Sequence, residues 1–187
     1  DWVLESPQGI TERKSLDFRG TRYDVQVFSL STFLGETTLA QTAEARALSR
    51  IYAQFSNDGV SNCEAGRAKP SHHVAYNLEA WLTLLSMIKK HGVSSLDFRK
   101  EPLQRIRRAY ARFAAHSREP DGCPEGDNCG PARTLPLQRM ARFLGIEDAE
   151  DVLEDRLAKD SDCFLILQFG LSDIATQRDF QVFGEEM

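Results

Sequence analysis

Apolar residues recur at every fourth position from Leu39 through Ala43, Ala47 and Ile51 to Phe55. Such spacing falls on one stripe of a 3.6-residue helix, whereas a half-buried strand alternates at every second position. Helical spacing returns at Val74, Leu78, Trp81, Leu85 and Ile88, at Leu103, Ile106, Tyr110 and Phe113, and at Leu137, Met140, Phe143 and Leu144. Val27, Leu30 and Leu34 mark a further helix over 23–34 that Gly35 stops. Lys89, Lys90 and His91 put cations at the negative end of another helix, and Gly92 offers a left-handed cap. Gly145 closes the helix after Leu137, and 148–157 (acidic at its start) and 162–175 read as two more. No alternating stretch of useful length occurs. The chain therefore reads as all-α, with antiparallel hairpins around 23–55, 74–113 and 134–175. Residues 1–19 show no clear period and read as an irregular lead-in. Arg105, Arg107, Arg108 and Arg112 read as a solvated face of their helix rather than a binding stripe.

With 187 residues, 41% apolar and 27% charged, the chain has the make-up of one ordinary globular domain. A net charge of -5 disfavours a nucleic-acid backbone as partner. The apolar run Cys163-Phe-Leu-Ile-Leu-Gln-Phe169 is far too short to span a membrane. The chain opens on Asp1 without a charged-then-apolar leader, and the expectation is a processed or truncated product. Cys123 and Cys129 bracket a Pro/Gly-rich loop with no core of its own, which suits a local disulfide and an oxidising, secretory route. Pairing of Cys63 with Cys163 and burial of both as thiols remain alternatives.

Between Phe55 and Val74 the helical period breaks. The segment Asn57-Asp-Gly-Val-Ser-Asn-Cys-Glu-Ala-Gly-Arg-Ala-Lys-Pro-Ser-His-His73 carries Glu64, Arg67, Lys69, His72 and His73 and runs straight into a helix. So many ionisable groups at a helix entrance mark a candidate site, since plain connections are short. Adjacent His72 and His73 lack a third ligand at metal spacing, so no metal and no cofactor is implied.

This loop, together with Gly20-Thr-Arg-Tyr-Asp-Val-Gln-Val27, resembles two signatures of the alginate lyase family of polysaccharide lyases. There Asn-Asn-His-Gly-Thr-Trp-Tyr-Asp-Val-Gln opens one helix. Asp-Gly-x-x-x-x-Glu-x-x-Arg, a His/Tyr pair and Phe-Asn-Leu-Glu-Ala form the second. The resemblance runs from about Gly20 to about Phe113. It implies that 20–187 is the C-terminal part of an incomplete α/α toroid. Family members place further helices before the first signature, and here only nineteen residues precede Gly20. A companion N-terminal chain or a homodimer is therefore expected to cover the apolar faces left open.

The family's chemistry neutralises a uronate carboxylate, removes the C5 proton and protonates the leaving glycosidic oxygen. The resemblance assigns Glu64, Arg67 and His72 to matching positions. It puts His73 where a catalytic Tyr is expected, Asp17, Phe18 and Arg19 where Asn, Asn and His stand, and Arg22 in place of Trp. The candidate catalytic set is His72, His73, Arg67, Arg19 and Tyr23, with Glu64, Lys69, Asn77 and Arg22 as substrate-binding candidates. Arg19 can pair bidentately with a carboxylate, and imidazole accepts a proton at neutral pH. Structural readings stand beside these: His72 packed to hold the loop, Glu64 with Arg67 as an ion pair, Tyr23 as a core aromatic, Asn77 and Glu79 as hydrogen-bonding groups at the helix entrance. The functional expectation is eliminative cleavage of a uronate-containing acidic polysaccharide by a secreted chain. The alternatives are a catalytically degenerate relative that binds glycans, as a lectin, toxin or effector does, and a helical interaction module.

Overall fold

A computed structural model describes residues 2–63, 70–91, 96–97, 100–116 and 131–146. Helices make up most of them, and no strand occurs among them beyond an isolated antiparallel bridge between Phe55 and Ser61. The all-α expectation holds. The elements are α1 (Trp2–Glu5), α2 (Pro7–Lys14), α3 (Phe18–Leu34), α4 (Thr37–Gln54), α5 (Pro70–His91), α6 (Leu103–His116) and α7 (Pro131–Leu144). The helices expected over 148–157 and 162–175, and the Cys123–Cys129 loop, lie outside the described residues.

The expected irregular lead-in is instead two helices. Ser6 caps α2 by accepting the Gly9 amide at 3.0 Å, and Pro7 follows at the first helical position. That Ser-Pro start is a helix signal in its own right, because Pro lacks only an N–H that would be orphaned there anyway. Apolar periodicity misses α2 because its sequence, PQGITERK, carries no apolar stripe.

Helix α5 is the centre of the bundle, packed against α3, α6 and α7, while α3 also packs on α2 and α4. Leu78, Trp81, Leu85 and Ile88 are fully buried along it, as their spacing predicts, and they meet Ile51 and Phe55 of α4 and Ile106 of α6 in one core. The inward face of α3 differs from expectation. Tyr23, Val27 and Phe28 are buried with Thr21 and Asp24, whereas Leu30 and Leu34 are exposed. Burying an ionised carboxylate is costly unless it is paired, and Asp24 is paired twice. Its Oδ1 accepts from Arg46 Nε at 2.6 Å and its Oδ2 from Arg50 Nε at 3.1 Å. Arg50 also donates to the carbonyls of Ser15 and Arg13, tying α4 to the end of α2.

The α6 arginines are not simply a solvated face. Arg105 donates to Phe55 O at 2.8 Å and to the Asn57 side chain, and Arg108 donates to Asn57 O. They clamp the turn that follows α4. Gly59, at φ 80°, closes that turn so tightly on α6 that a Cβ would collide with the backbone of Arg108 and Ala109. A left-handed conformation and a backbone contact together leave room only for glycine.

Candidate functional site

Two helix starts meet at the candidate site. Asp17 caps α3, its carboxylate accepting the Arg19 amide at 3.0 Å and the Ser15 hydroxyl at 2.6 Å. The Arg19 guanidinium closes on the same carboxylate, Nη2 to Oδ2 at 2.7 Å and Nε to Oδ2 at 3.1 Å. Burial alone would raise the Asp17 carboxyl. The hydrogen bonds from Arg19 and Ser15, with the charge of Arg19, outweigh burial and hold it well below the usual carboxylate range. Its contribution to stability is therefore present above the unfolded value of about 4 and is lost as pH falls through the lowered folded value. Asp17→Asn, which still caps a helix, is expected to lower stability at neutral pH and to flatten its decline below about pH 4. Urea midpoints that fall in parallel for both proteins over that range would refute this.

Facing α3, the first turns of α5 carry His72, His73, Tyr76 and Glu79. Phe18 of α3 stacks on His73, ring centroids 5.9 Å apart at 28°. The Phe18 ring also lies 6.2 Å from Tyr76. His72 packs against Tyr76 at 4.8 Å and stands edge-on to His73 at 5.6 Å. One turn along α3, the Arg22 guanidinium sits 5.1 Å over the Tyr76 ring and meets Glu79 Oε2 at 3.3 Å. Both partners of that ion pair are about two-fifths exposed, 40% and 43%, so the junction opens to solvent. Cation–ring contact and ion pairing set the direction of Arg22 without removing it from water.

Beneath this cluster lies a fully buried polar ring of Thr21, Gln54 and Asn77. Gln54 Nε2 donates to Thr21 Oγ1 at 2.9 Å, Thr21 Oγ1 to Asn77 Oδ1 at 3.2 Å, and Asn77 Nδ2 to Gln54 Oε1 at 3.1 Å. Trp81 Nε1 adds a donor to Gln54 Oε1 at 2.6 Å, and Gln54 Nε2 reaches Asp17 O at 2.9 Å. Satisfied networks of this kind fix packing, because each unpaired buried group would carry a desolvation cost. This one locks α3, α4 and α5 together directly under the site. Gly20 completes the fit, since a Cβ there would collide with Ser15 O and the Arg50 guanidinium.

Of the residues singled out in the sequence, Arg22, His72 and His73 converge, while the Arg19 guanidinium is engaged by Asp17 at the start of α3. Asn77 is beneath the cluster rather than in it, with its amide engaged in the ring. Tyr23 is a buried core residue, 1% exposed, under the Arg46 guanidinium at 5.0 Å. Glu64, Arg67 and Lys69 lie outside the described residues. Phe18 and Tyr76 join the site without having been counted in it. The signal for Tyr76 was its position three and four residues after the two histidines, which puts all three on one helical face. Among the described residues no three His, Cys, Asp or Glu side chains gather as a cation site.

The family model described as alginate lyase matches residues 1–122, from the start of α1 through α6. No curated protein and no solved structure matches the chain. Because the match takes in both signatures, the buried ring and the α3–α5 junction over more than half of the length, the chain belongs to the alginate lyase family.

Proposed function

We propose that this chain cleaves a uronate-containing acidic polysaccharide by β-elimination at the α3–α5 junction. The observation that carries the reading is the convergence of two imidazoles, a guanidinium and two aromatic rings at one open junction in a chain of this family. In the reaction, a cation neutralises the carboxylate next to C5 and a base takes the C5 proton. The electron pair released forms the C4–C5 double bond as the C4–O bond breaks, and an acid protonates the departing oxygen. Arg22 and Arg19, with Arg67 from the segment that precedes α5 in the sequence, are the carboxylate partners. His73 and His72 are the proton-transfer candidates, and the stacked Phe18–His73 pair offers aromatic surface for a sugar ring.

The test is incubation with alginate, glucuronan and related polymers, following the absorbance of the unsaturated uronide. Appearance of product from one polymer is the expected result, and its absence across the panel refutes the lyase reading. A second reading, a glycan binder without turnover, is favoured by one observation: Asp17 and Phe18 stand where the family has two amides, and Asp17 already occupies Arg19. Retained glycan binding without product would select it.

The same reading places the chain on the secretory route and pairs it with a companion N-terminal chain or a second copy. Leu30, Phe33 and Leu34, the last two 86% and 68% exposed, form an apolar end to α3 that suits such a partner. Native mass measurement is expected to show a complex. The intact mass is expected to rise by two hydrogens on reduction of a Cys123–Cys129 bond. A lone 21.1 kDa species, unchanged by reductant, refutes both.

A further inference from the structure

We infer that Tyr52, Arg105, Arg108 and Arg112 form a second glycan-binding surface, which holds the carboxylates of acidic polysaccharide units beyond those at the α3–α5 junction. The inference rests on the acidic-glycan part of the reading above and not on turnover. Arg105, Arg108 and Arg112 follow one another at spacings of three and four, so α6 carries them on one face. Arg105 lies 4.7 Å over the ring of Tyr52, an aromatic of α4 that is 50% exposed. An open ring beside guanidiniums supplies both contacts that a uronate needs, apolar surface for the sugar and paired donors for its carboxylate.

Cationic charge is in local excess here. Glu101 lies 3.1 Å from Arg105 and 3.5 Å from Arg108. Asp58 accepts the Ser56 hydroxyl at 2.6 Å, and that hydrogen bond, with the nearby charges of Arg112 and Arg108, holds its carboxyl below its ordinary value. Among the described residues, these two carboxylates stand against three guanidiniums. Arg108 is 46% exposed, and Arg112 is exposed with no hydrogen bond or ion pair to a described residue. A chain of net charge -5 repels an acidic polymer at long range, so a local cationic surface decides where the strand can lie. Position ties this surface to the junction. Gln54 belongs to the buried ring beneath the junction, and the next carbonyl, that of Phe55, accepts from Arg105 at 2.8 Å. Only the end of α4 separates the two, so one strand can engage both. Two weak contacts on one strand reinforce each other, whereas a fragment that reaches only one gains nothing from the second.

The test compares Arg112→Glu and Arg112→Gln with the parent on long-chain alginate and glucuronan and on the trisaccharide of each, with melting profiles as the check on folding. Affinity is read as KM where a polymer is cleaved and as Kd where it is not. Arg112→Glu is expected to weaken the better-bound polymer by about tenfold and Arg112→Gln by about threefold, the loss falling on KM, with trisaccharide affinity within about twofold of the parent. Added salt is expected to shrink the difference between parent and variants, because the contact is exposed. Polymer affinity unchanged in Arg112→Glu, or equal weakening of polymer and trisaccharide, overturns the inference and leaves the lyase reading standing. Unchanged polymer affinity with dissociation of a complex seen for the parent assigns the surface to a protein partner instead. Polymer binding without product that weakens in Arg112→Glu upholds the surface and refutes the lyase. A parent that neither binds nor cleaves either polymer overturns both.

Discussion

Asp24→Ala is expected to destabilise the chain by about 3–5 kcal/mol, the range for removing one partner of a buried ion pair. The Asp24 side chain is fully buried and Arg50 is 4% exposed, so neither is relieved by water. Burial pushes the Asp24 carboxyl above its ordinary value, and the charges of Arg50 and Arg46 with their hydrogen bonds pull against that shift. Deleting the carboxylate strands two cations under α3. Arg50 keeps the carbonyls of Ser15 and Arg13, while Arg46 loses its only described acceptor and keeps only its contact with the Tyr23 ring. In a chain of this size the loss corresponds to a melting shift of roughly 6–20 °C. Arg19→Ala is the internal comparison. Its pair with Asp17 is bidentate, but Arg19 is 60% exposed, and the expected loss is about 1 kcal/mol or less. Thermal and urea unfolding of both variants give the measurement. An Asp24→Ala protein as stable as Arg19→Ala would show that the buried triad is dispensable.

The same triad explains why part of the fold was hidden in the sequence. The period-four stripe of α4 and the stripes of α5 and α6 are local patterns, and they match the buried faces. The inward face of α3 is not a local pattern. Asp24 and Thr21 are buried because Arg46, Arg50 and Gln54 arrive from α4, so hydropathy along α3 favours Leu30 and Leu34, which are exposed. Helix α2 was hidden for a different reason: it has a cap and a starting Pro but no apolar stripe. At the site, the Gly-Thr-x-Tyr-Asp part of the first signature proves to be architecture. Gly20 admits Arg50, Thr21 joins the buried ring, Tyr23 fills the core and Asp24 anchors two arginines. The departures from the signature, Asp17, Phe18, Arg19 and Arg22, lie at or beside the junction. The family's frame is thus kept while the surface it presents is changed. His72 and His73 were legible because a run of charged residues precedes them in the sequence. The meeting of Phe18 with His73 and of Arg22 with Tyr76 depends on α3 packing against α5, which no local spacing reveals.

His73→Ala is expected to lower elimination by about 10²- to 10⁴-fold, the usual contribution of a positioned proton acceptor. The substitution removes two things at once, the acceptor nitrogen and the ring that stacks on Phe18 at 5.9 Å. His73→Phe separates them. It restores an aromatic ring opposite Phe18 but supplies no group that can take a proton. Both variants are therefore expected to lose turnover to the same degree, while glycan affinity falls modestly in His73→Ala and is retained in His73→Phe. The reason is that binding draws on the aromatic ring pair and on the Arg22 and Arg19 cations, whereas the chemical step needs the imidazole. Steady-state rates on the cleaved polymer, beside binding isotherms for an uncleaved oligosaccharide, read the two quantities independently. If His73→Phe turns over like the parent, the imidazole is not the base and His73 serves only as part of the stacking surface. If both variants lose binding and turnover together, the imidazole itself, and not the ring pair, holds the junction in shape, and the assignment of His73 as the base fails.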